Sequence, residues 1–144
     1  MKPIRLFVNI EPTRSTHQSS LRVLKGKGGR FFVGKMSKSS HKKWVKEFET
    51  LISAARPDFP LNCETKVYLG FHFSHLKSTG KKAAETSFFK TTRPDLDNLE
   101  KSVLDSLVRT GFLVDDSLVC DKHSQKFHSP KAGIEIRIEA INTP

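Results

Sequence analysis

Asp95 and Asp97, two aspartates separated by one residue, are the side chains of this chain whose type and spacing most directly suggest chemistry. If the backbone between them is extended, both carboxylates leave it on the same side, because side chains alternate along an extended strand. Carboxylates placed this close repel each other unless they are protonated or neutralised by a cation. Carboxylate oxygens are the ligands that Mg²⁺ prefers. The pair therefore predicts a magnesium site.

A helical pattern begins at the second of these aspartates and predicts a helix over 97–109. Asp97, with Glu100 three residues later, is typical of an N-cap and its reciprocal partner. Lys101 lies one helical turn after Asp97, so its ammonium group can reach the same site. Apolar residues recur at the three- and four-residue spacing of one helix face: Leu99, Val103, Leu104, Leu107 and Val108.

A second acidic pair, Asp115-Asp116, follows a turn signal at Gly111 and a short apolar run. We expect the chain to return here to the start of the helix and to bring a third carboxylate to the first pair. Adjacent residues of a strand point to opposite sides, so one of the two could instead support the site from the core side.

A purely structural interpretation of the same residues stays open. Aspartate is common near helix starts because its carboxylate caps backbone N–H groups. Asp97, Lys101 and Asp105, at successive four-residue steps, could form a solvated face with weak ion pairs.

Segment 93–121 resembles the signature of the RusA-type Holliday-junction resolvases, which are small dimeric endonucleases of bacteria and phages. The residues that carry the resemblance keep the spacing of that signature: Asp95-Leu96-Asp97-Asn98-Leu99, Lys101, Asp105, Gly111-Phe112, Asp115-Asp116 and Val119. Over residues 1–92 only the order of strands and helices agrees. The resemblance implies a homodimer that binds branched DNA, in particular four-way junctions, and cuts it in recombination and repair.

The resemblance also implies roles for the acidic residues. Asp95, Asp97 and Asp116 would be catalytic and would bind Mg²⁺, for which Mn²⁺ could substitute, with Asp115 as a further candidate ligand. A carboxylate-held Mg²⁺ can supply a water nucleophile and polarise the phosphoryl oxygens. Lys101 would offset negative charge at the scissile phosphate. Asn98 would orient a carboxylate.

Charge is distributed unevenly along the 144 residues, whose net charge is +10. Residues 1–94 carry 19 Lys and Arg against 6 Asp and Glu, whereas residues 95–144 carry 6 against 9. A basic N-terminal part followed by an acidic segment fits an enzyme that binds a polyanion and acts on it with the help of a cation. The net positive charge is equally compatible with a generic basic protein, such as a ribosome-associated one.

Basic residues of several segments are candidate phosphate contacts. Segment 21–33 predicts a basic hairpin, in which Phe31 or Phe32 either stacks on unpaired bases or packs beneath the hairpin. Segment 75–92 predicts a mobile, basic loop that contacts DNA. The candidates are Lys25, Lys27, Arg30, Lys42, Lys43, Lys81, Lys82, Lys90, Arg93 and Lys126.

The pattern of elements predicts one α+β domain over residues 1–144. Strands are expected at 4–10, 64–75, 118–126 and 133–141, with helices at 37–56 and 97–109. This β-α-β-α-β-β order predicts a mixed sheet of about four strands with helices mainly on one face.

Cys63 and Cys120 are far apart and lack metal-site spacing, so we expect reduced thiols in a cytoplasmic protein. The resemblance to the resolvases implies that the cell is bacterial or phage-infected. No apolar run approaches ~20 residues, and the first residues lead directly into a strand, which predicts neither a membrane span nor a secretory signal.

Three other functions remain compatible with the sequence. A less selective branched-DNA or flap endonuclease would use the same carboxylates. A non-catalytic DNA-binding module would make the acidic cluster structural, and a basic RNA-binding protein would leave that cluster unexplained.

Overall fold

The computed structural model describes residues 2–14, 20–36 and 39–141. Its strands and helices follow the predicted order, with additional short elements between them. In chain order they are β1 (Ile4–Val8), β2 (Ser20–Lys25), β3 (Phe31–Met36), α1 (Ser39–Ser53), β4 (Thr65–Ser74), α2 (Lys81–Ala84), β5 (Phe88–Phe89), α3 (Leu96–Arg109), β6 (Val119–Ser129) and β7 (Gly133–Ala140), and a 3₁₀ turn spans Asp116–Leu118.

The main sheet has five strands in the order β1-β7-β4-β6-β5. The central strand β4 pairs in parallel with β6 and antiparallel with β7, so the sheet is mixed, as predicted. The fifth strand is β5, whose two residues pair with His128 and Phe127 of β6. A strand of two residues is too short to show a period of two, which is why the sequence predicted about four strands.

One face of this sheet carries the hydrophobic core. The apolar residues of β4 alternate, and Val67, Leu69, Phe71 and Phe73 are all fully buried. The isoleucines of β7 are buried beside them. Helices α1 and α3 cover this face with Phe48, Ile52, Leu99, Val103 and Leu107. The prediction of an α+β domain with its helices mainly on one face is therefore confirmed.

The predicted basic hairpin is present as β2 and β3, which form a separate two-stranded antiparallel sheet. Its turn includes Gly28 and Gly29, both with positive φ, a conformation that glycine adopts without steric cost.

The two predicted segments that differ most from the structure are the first helix and the basic loop. Helix α1 ends at Ser53, before the predicted Arg56, and Ala55, which the sequence assigned to the apolar face of this helix, is exposed beyond its end. Residues 37 and 38 of that prediction lie outside the described residues. Segment 75–92 contains α2 and β5 rather than being a loop throughout.

Both cysteines are free thiols. Among the described residues, no helix combines the length and the apolar character needed to cross a membrane.

Candidate active site

The first acidic pair lies at the start of α3, which begins at Leu96, one residue before the predicted start at Asp97. Asp95 is the N-cap, with extended backbone angles (φ −72°, ψ 146°), and its carbonyl accepts from Leu99 N at 3.2 Å. Asp97 is therefore inside the first turn, and the prediction that it caps the helix was wrong. The backbone from Asp95 to Asp97 is not one extended run, so the two carboxylates do not leave it as neighbours on a strand.

The carboxylate of Asp95 makes no capping hydrogen bond to the first turn of α3, and both aspartates are exposed. Glu100, predicted to complete the cap, instead accepts from Lys122 Nζ of β6 at 2.6 Å. The structural interpretation of Asp95 as a capping side chain is therefore not realised. Its oxygens remain available for another partner.

The second acidic pair forms the 3₁₀ turn that precedes β6. Asp115 caps this turn, because its Oδ1 accepts from Ser117 N at 2.8 Å. Hydrogen bonds from the side chain and the backbone of Ser117 lower the pKa of Asp115, and a hydrogen bond with Asp116 lowers it further. Asp115 is thus ionised at neutral pH, and Asp116 beside it is exposed.

The predicted gathering of three carboxylates is not present in the described part of a single chain. The 3₁₀ turn contacts α3, but no three His, Cys, Asp or Glu side chains among the described residues form a group that could hold a metal ion. The first pair lies at the start of a helix of 14 residues, which is about 21 Å long, and the second pair follows its end. The donors nevertheless suit Mg²⁺ chemically, since they are exposed carboxylate oxygens.

Lys101 makes the ion pair that the structural interpretation predicted. Its Nζ lies 3.6 Å from Oδ2 of Asp105, one turn further along α3. The lysine side chain is 60 % exposed, so the pair is of the weak, solvated kind. Lys101 thus remains accessible to an incoming phosphate.

Two predicted phosphate contacts have partners inside the protein that the sequence did not suggest. Lys126 Nζ donates to the carbonyl oxygens of Thr92 at 2.8 Å and Pro94 at 2.7 Å. Lys90 Nζ donates to Thr92 Oγ1 at 2.7 Å and lies 5.0 Å from the centroid of the Phe73 ring. Both lysines therefore hold the segment that leads into Asp95.

The strand register explains why Lys126 reaches this segment. Lys126 is in register with the buried Phe71 of β4, so it is on the helix-covered face of the sheet. A charge on the covered face needs a partner. The sequence did not indicate this position, because the apolar residues of β6, Val119 and Phe127, alternate with Lys126 and would assign it to the opposite face.

The other residues predicted to bind DNA are at the surface. The exposed set comprises Lys25, Lys27 and Arg30 of the hairpin, Lys42 and Lys43 of α1, Lys81 and Lys82 of α2, and Arg93. Asn98 is partly buried in the first turns of α3, and its carbonyl accepts from Ser102 Oγ at 3.1 Å.

Comparison with known proteins identifies the family of this chain. The model of the family described as endodeoxyribonuclease RusA matches residues 11–139, which include both acidic pairs. A relative in Bacillus subtilis (strain 168), described as uncharacterized protein YqaN, is 31% identical over 107 residues, which are 69% of this chain and 75% of that protein. The chain belongs to the RusA endodeoxyribonuclease family, whose members hydrolyse DNA.

Proposed function

We propose that this protein is a magnesium-dependent, structure-selective endonuclease that resolves Holliday junctions by paired phosphodiester hydrolysis in recombination and repair. Family membership supports the DNA-cleaving part of this proposal. The structural observation that carries it furthest is the start of α3, where the N-cap aspartate Asp95 is not used to cap the helix.

In this proposal Asp95, Asp97 and Asp116 hold Mg²⁺, and Asp115 is a weaker candidate because its carboxylate already caps the 3₁₀ turn. Like charges repel, so such carboxylates approach one another when a cation lies between them or when one of them is protonated. The bound ion would supply an activated water and polarise the phosphate. Mn²⁺ offers similar ligand chemistry and could take its place.

The chain's own groups would position the phosphate. The N-terminus of α3 carries partial positive charge, which favours anions at this point. Lys101, exposed on α3, would offset the negative charge that develops on the scissile phosphate. Arg93, exposed just before Asp95, would contact a neighbouring phosphate, and Asn98 would orient a carboxylate.

The basic surface would supply most of the affinity for DNA. Residues 1–94 contain 19 Lys and Arg, and those on the hairpin, α1 and α2 that were predicted as contacts are exposed. Each phosphate neutralised by such a cation releases a counterion, so binding should weaken steeply with salt.

A four-way junction has near two-fold symmetry and needs two cuts. A homodimer with two-fold symmetry would present two equivalent sites in matching orientation. We therefore propose a homodimer as the active form, which its mass in solution would test independently of cleavage.

The decisive assay incubates the protein with a four-way junction, a fork, a flap and a linear duplex, with and without Mg²⁺. We expect magnesium-dependent nicks at symmetric positions of the junction and little cutting of the duplex. Equal cutting of forks and flaps would instead identify a less selective branched-DNA endonuclease. Binding without cutting would identify the non-catalytic module that the separation of the carboxylates in one chain also permits.

A further inference from the structure

One face of the hairpin β2–β3 presents apolar side chains to solvent. Val23 pairs with Val33 and Lys25 pairs with Phe31, so these four side chains project from the same face of the hairpin. Val23 is 69% exposed, Val33 65% and Phe31 69%. An isolated two-stranded hairpin is marginally stable in water, and grouped exposed apolar side chains mark an interaction surface.

The charge of the hairpin indicates the chemistry of its partner. Residues 20–36 contain five Lys and Arg and no Asp or Glu. A second copy of the same hairpin would bring like charge to this face and be repelled, whereas a polyanion would be attracted. Lys25, Lys27 and Arg30 are exposed around the turn, where Gly26 N bonds to Arg30 O at 2.8 Å. The partner that fits is nucleic acid.

The ring of Phe31 indicates which part of a nucleic acid this face of the hairpin contacts. A phenylalanine side chain offers neither a donor nor an acceptor to base edges or phosphates, so its contribution is stacking on the face of a base. Base faces are covered by their neighbours inside a continuous duplex and become accessible where strands separate. The branch point of a junction is such a place.

We propose that the open face of β2–β3 recognises the branch point, with Phe31 stacking on an unpaired base while Lys25, Lys27 and Arg30 contact the flanking phosphates. This inference rests on the proposed function, because it takes branched DNA as the substrate. It makes the hairpin the element that distinguishes a branch from continuous duplex, at a distance in sequence from the carboxylates that cut.

The test compares full-length wild type with Phe31→Ala, in the absence of divalent metal, on a four-way junction and on a linear duplex. Loss of one stacked base should weaken junction binding about 5- to 150-fold, while duplex affinity stays the same. Phe31→Tyr keeps the ring and should keep the junction affinity. Phe59→Ala, which removes a ring that is 83% exposed outside the hairpin, is the matched control and should change neither affinity.

A direct readout is the fluorescence of 2-aminopurine placed at the branch point, which stacking on an aromatic ring quenches. We expect wild type and Phe31→Tyr to quench it and Phe31→Ala not to. Three results for Phe31→Ala would each overturn the proposal. They are quenching equal to that of wild type, an equal loss of junction and duplex affinity, and a change in the mass of the free protein.

These outcomes separate the inference from the proposed function. At saturating protein in Mg²⁺, Phe31→Ala should still cut the junction, because its acidic residues are intact. Absence of cleavage by wild type would contradict the nuclease proposal and leave the comparison of binding and quenching interpretable by itself.

Discussion

The ammonium group of Lys126 donates to the carbonyl oxygen of Pro94 at 2.7 Å, one residue before the candidate ligand Asp95. A second bond, to the carbonyl of Thr92, fixes the same segment from the same atom. A lysine of β6 thereby ties the approach to α3 to the sheet. Two of the three N–H donors of Lys126 are already bonded to these carbonyls, so Lys126 contributes to the site by positioning Asp95.

This relationship predicts a specific kinetic signature for Lys126→Met. Loss of both bonds should lower the maximal cleavage rate and raise the Mg²⁺ concentration needed for half-maximal cleavage, while junction affinity stays close to that of wild type. Lys126→Arg, which retains donors, should restore part of the rate. A large loss of junction affinity with an unchanged metal requirement would show that Lys126 is a phosphate contact.

Lys101→Ala should lower the cleavage rate more than it weakens junction binding, because the ammonium is proposed to act on charge that develops during the reaction. Stability should change by less than about 1 kcal/mol, since the pair with Asp105 is exposed. Single-turnover cleavage and direct binding measure the two effects separately. Equal losses in both would make Lys101 an ordinary phosphate contact.

Gly133, the first residue of β7, has no room for a side chain. A Cβ there would collide with the ring of Phe7 and lie 2.9 Å from Val8 O. We expect Gly133→Ala to lower the free energy of unfolding by about 1–3 kcal/mol, measured by urea denaturation.

The same contact allows a rescue. Phe7→Leu in the Gly133→Ala background should recover part of the loss, because it removes the ring that collides, although the contact with Val8 O remains. Gly80→Ala is a matched control, since a Cβ there would meet nothing within 4 Å. A purely additive double variant would contradict the collision.

The stability of the protein should depend on pH through Lys90, which is 8% exposed. Burial lowers the pKa of Lys90 below its ordinary 10.5, and the neighbouring charges of Arg14 and Lys126 lower it further. Between the lowered and the ordinary value, the unfolded chain binds more protons than the folded chain, so this lysine makes stability rise with pH. Below the lowered pKa, Lys90 is charged in the folded protein and burial of the charge costs its full free energy. Above the ordinary pKa, the lysine is neutral in both states and this cost is gone.

Lys90→Met should remove this contribution. Relative to the variant, the wild type should therefore gain stability as pH rises from neutral to about 10, in urea denaturation at matched ionic strength. The lost bond to Thr92 should shift the free energy of unfolding of the variant by an amount that does not depend on pH. If the free energies of unfolding of the two proteins changed with pH in parallel, Lys90 would not be the source of the pH dependence.

Sequence patterns predicted the parts of the fold that depend on periodicity. Val67, Leu69, Phe71 and Phe73 alternate along a strand that the core buries completely, so β4 was evident from the sequence. Helix α3 begins within one residue of its prediction because its apolar spacing is regular. The two residues of β5 were missed because they are too few to show a period.

The details of the site depended on contacts between elements, which no local pattern encodes. Asp95 and Asp97 are equally good N-cap residues by type, and Glu100, three residues after Asp97, favoured Asp97 in the prediction. In the structure the carboxylate of Glu100 pairs with Lys122 of β6 instead, and Asp95 is the N-cap. Lys126 looked like a surface cation, yet its charge is directed at backbone carbonyls. The predicted approach of Asp116 to the first pair likewise depended on the tertiary arrangement, and within residues 2–14, 20–36 and 39–141 of one chain no such group of carboxylates forms.

Junction cleavage by Asp97→Asn tests the central claim most directly. The substitution removes one anionic ligand and leaves the basic surface intact, so cleavage in Mg²⁺ should be abolished while junction affinity is retained. Asp58→Asn, which neutralises an exposed carboxylate outside the site, should cut like wild type. Undiminished cleavage by Asp97→Asn would contradict the assignment of the start of α3 as the centre of a metal-dependent nuclease.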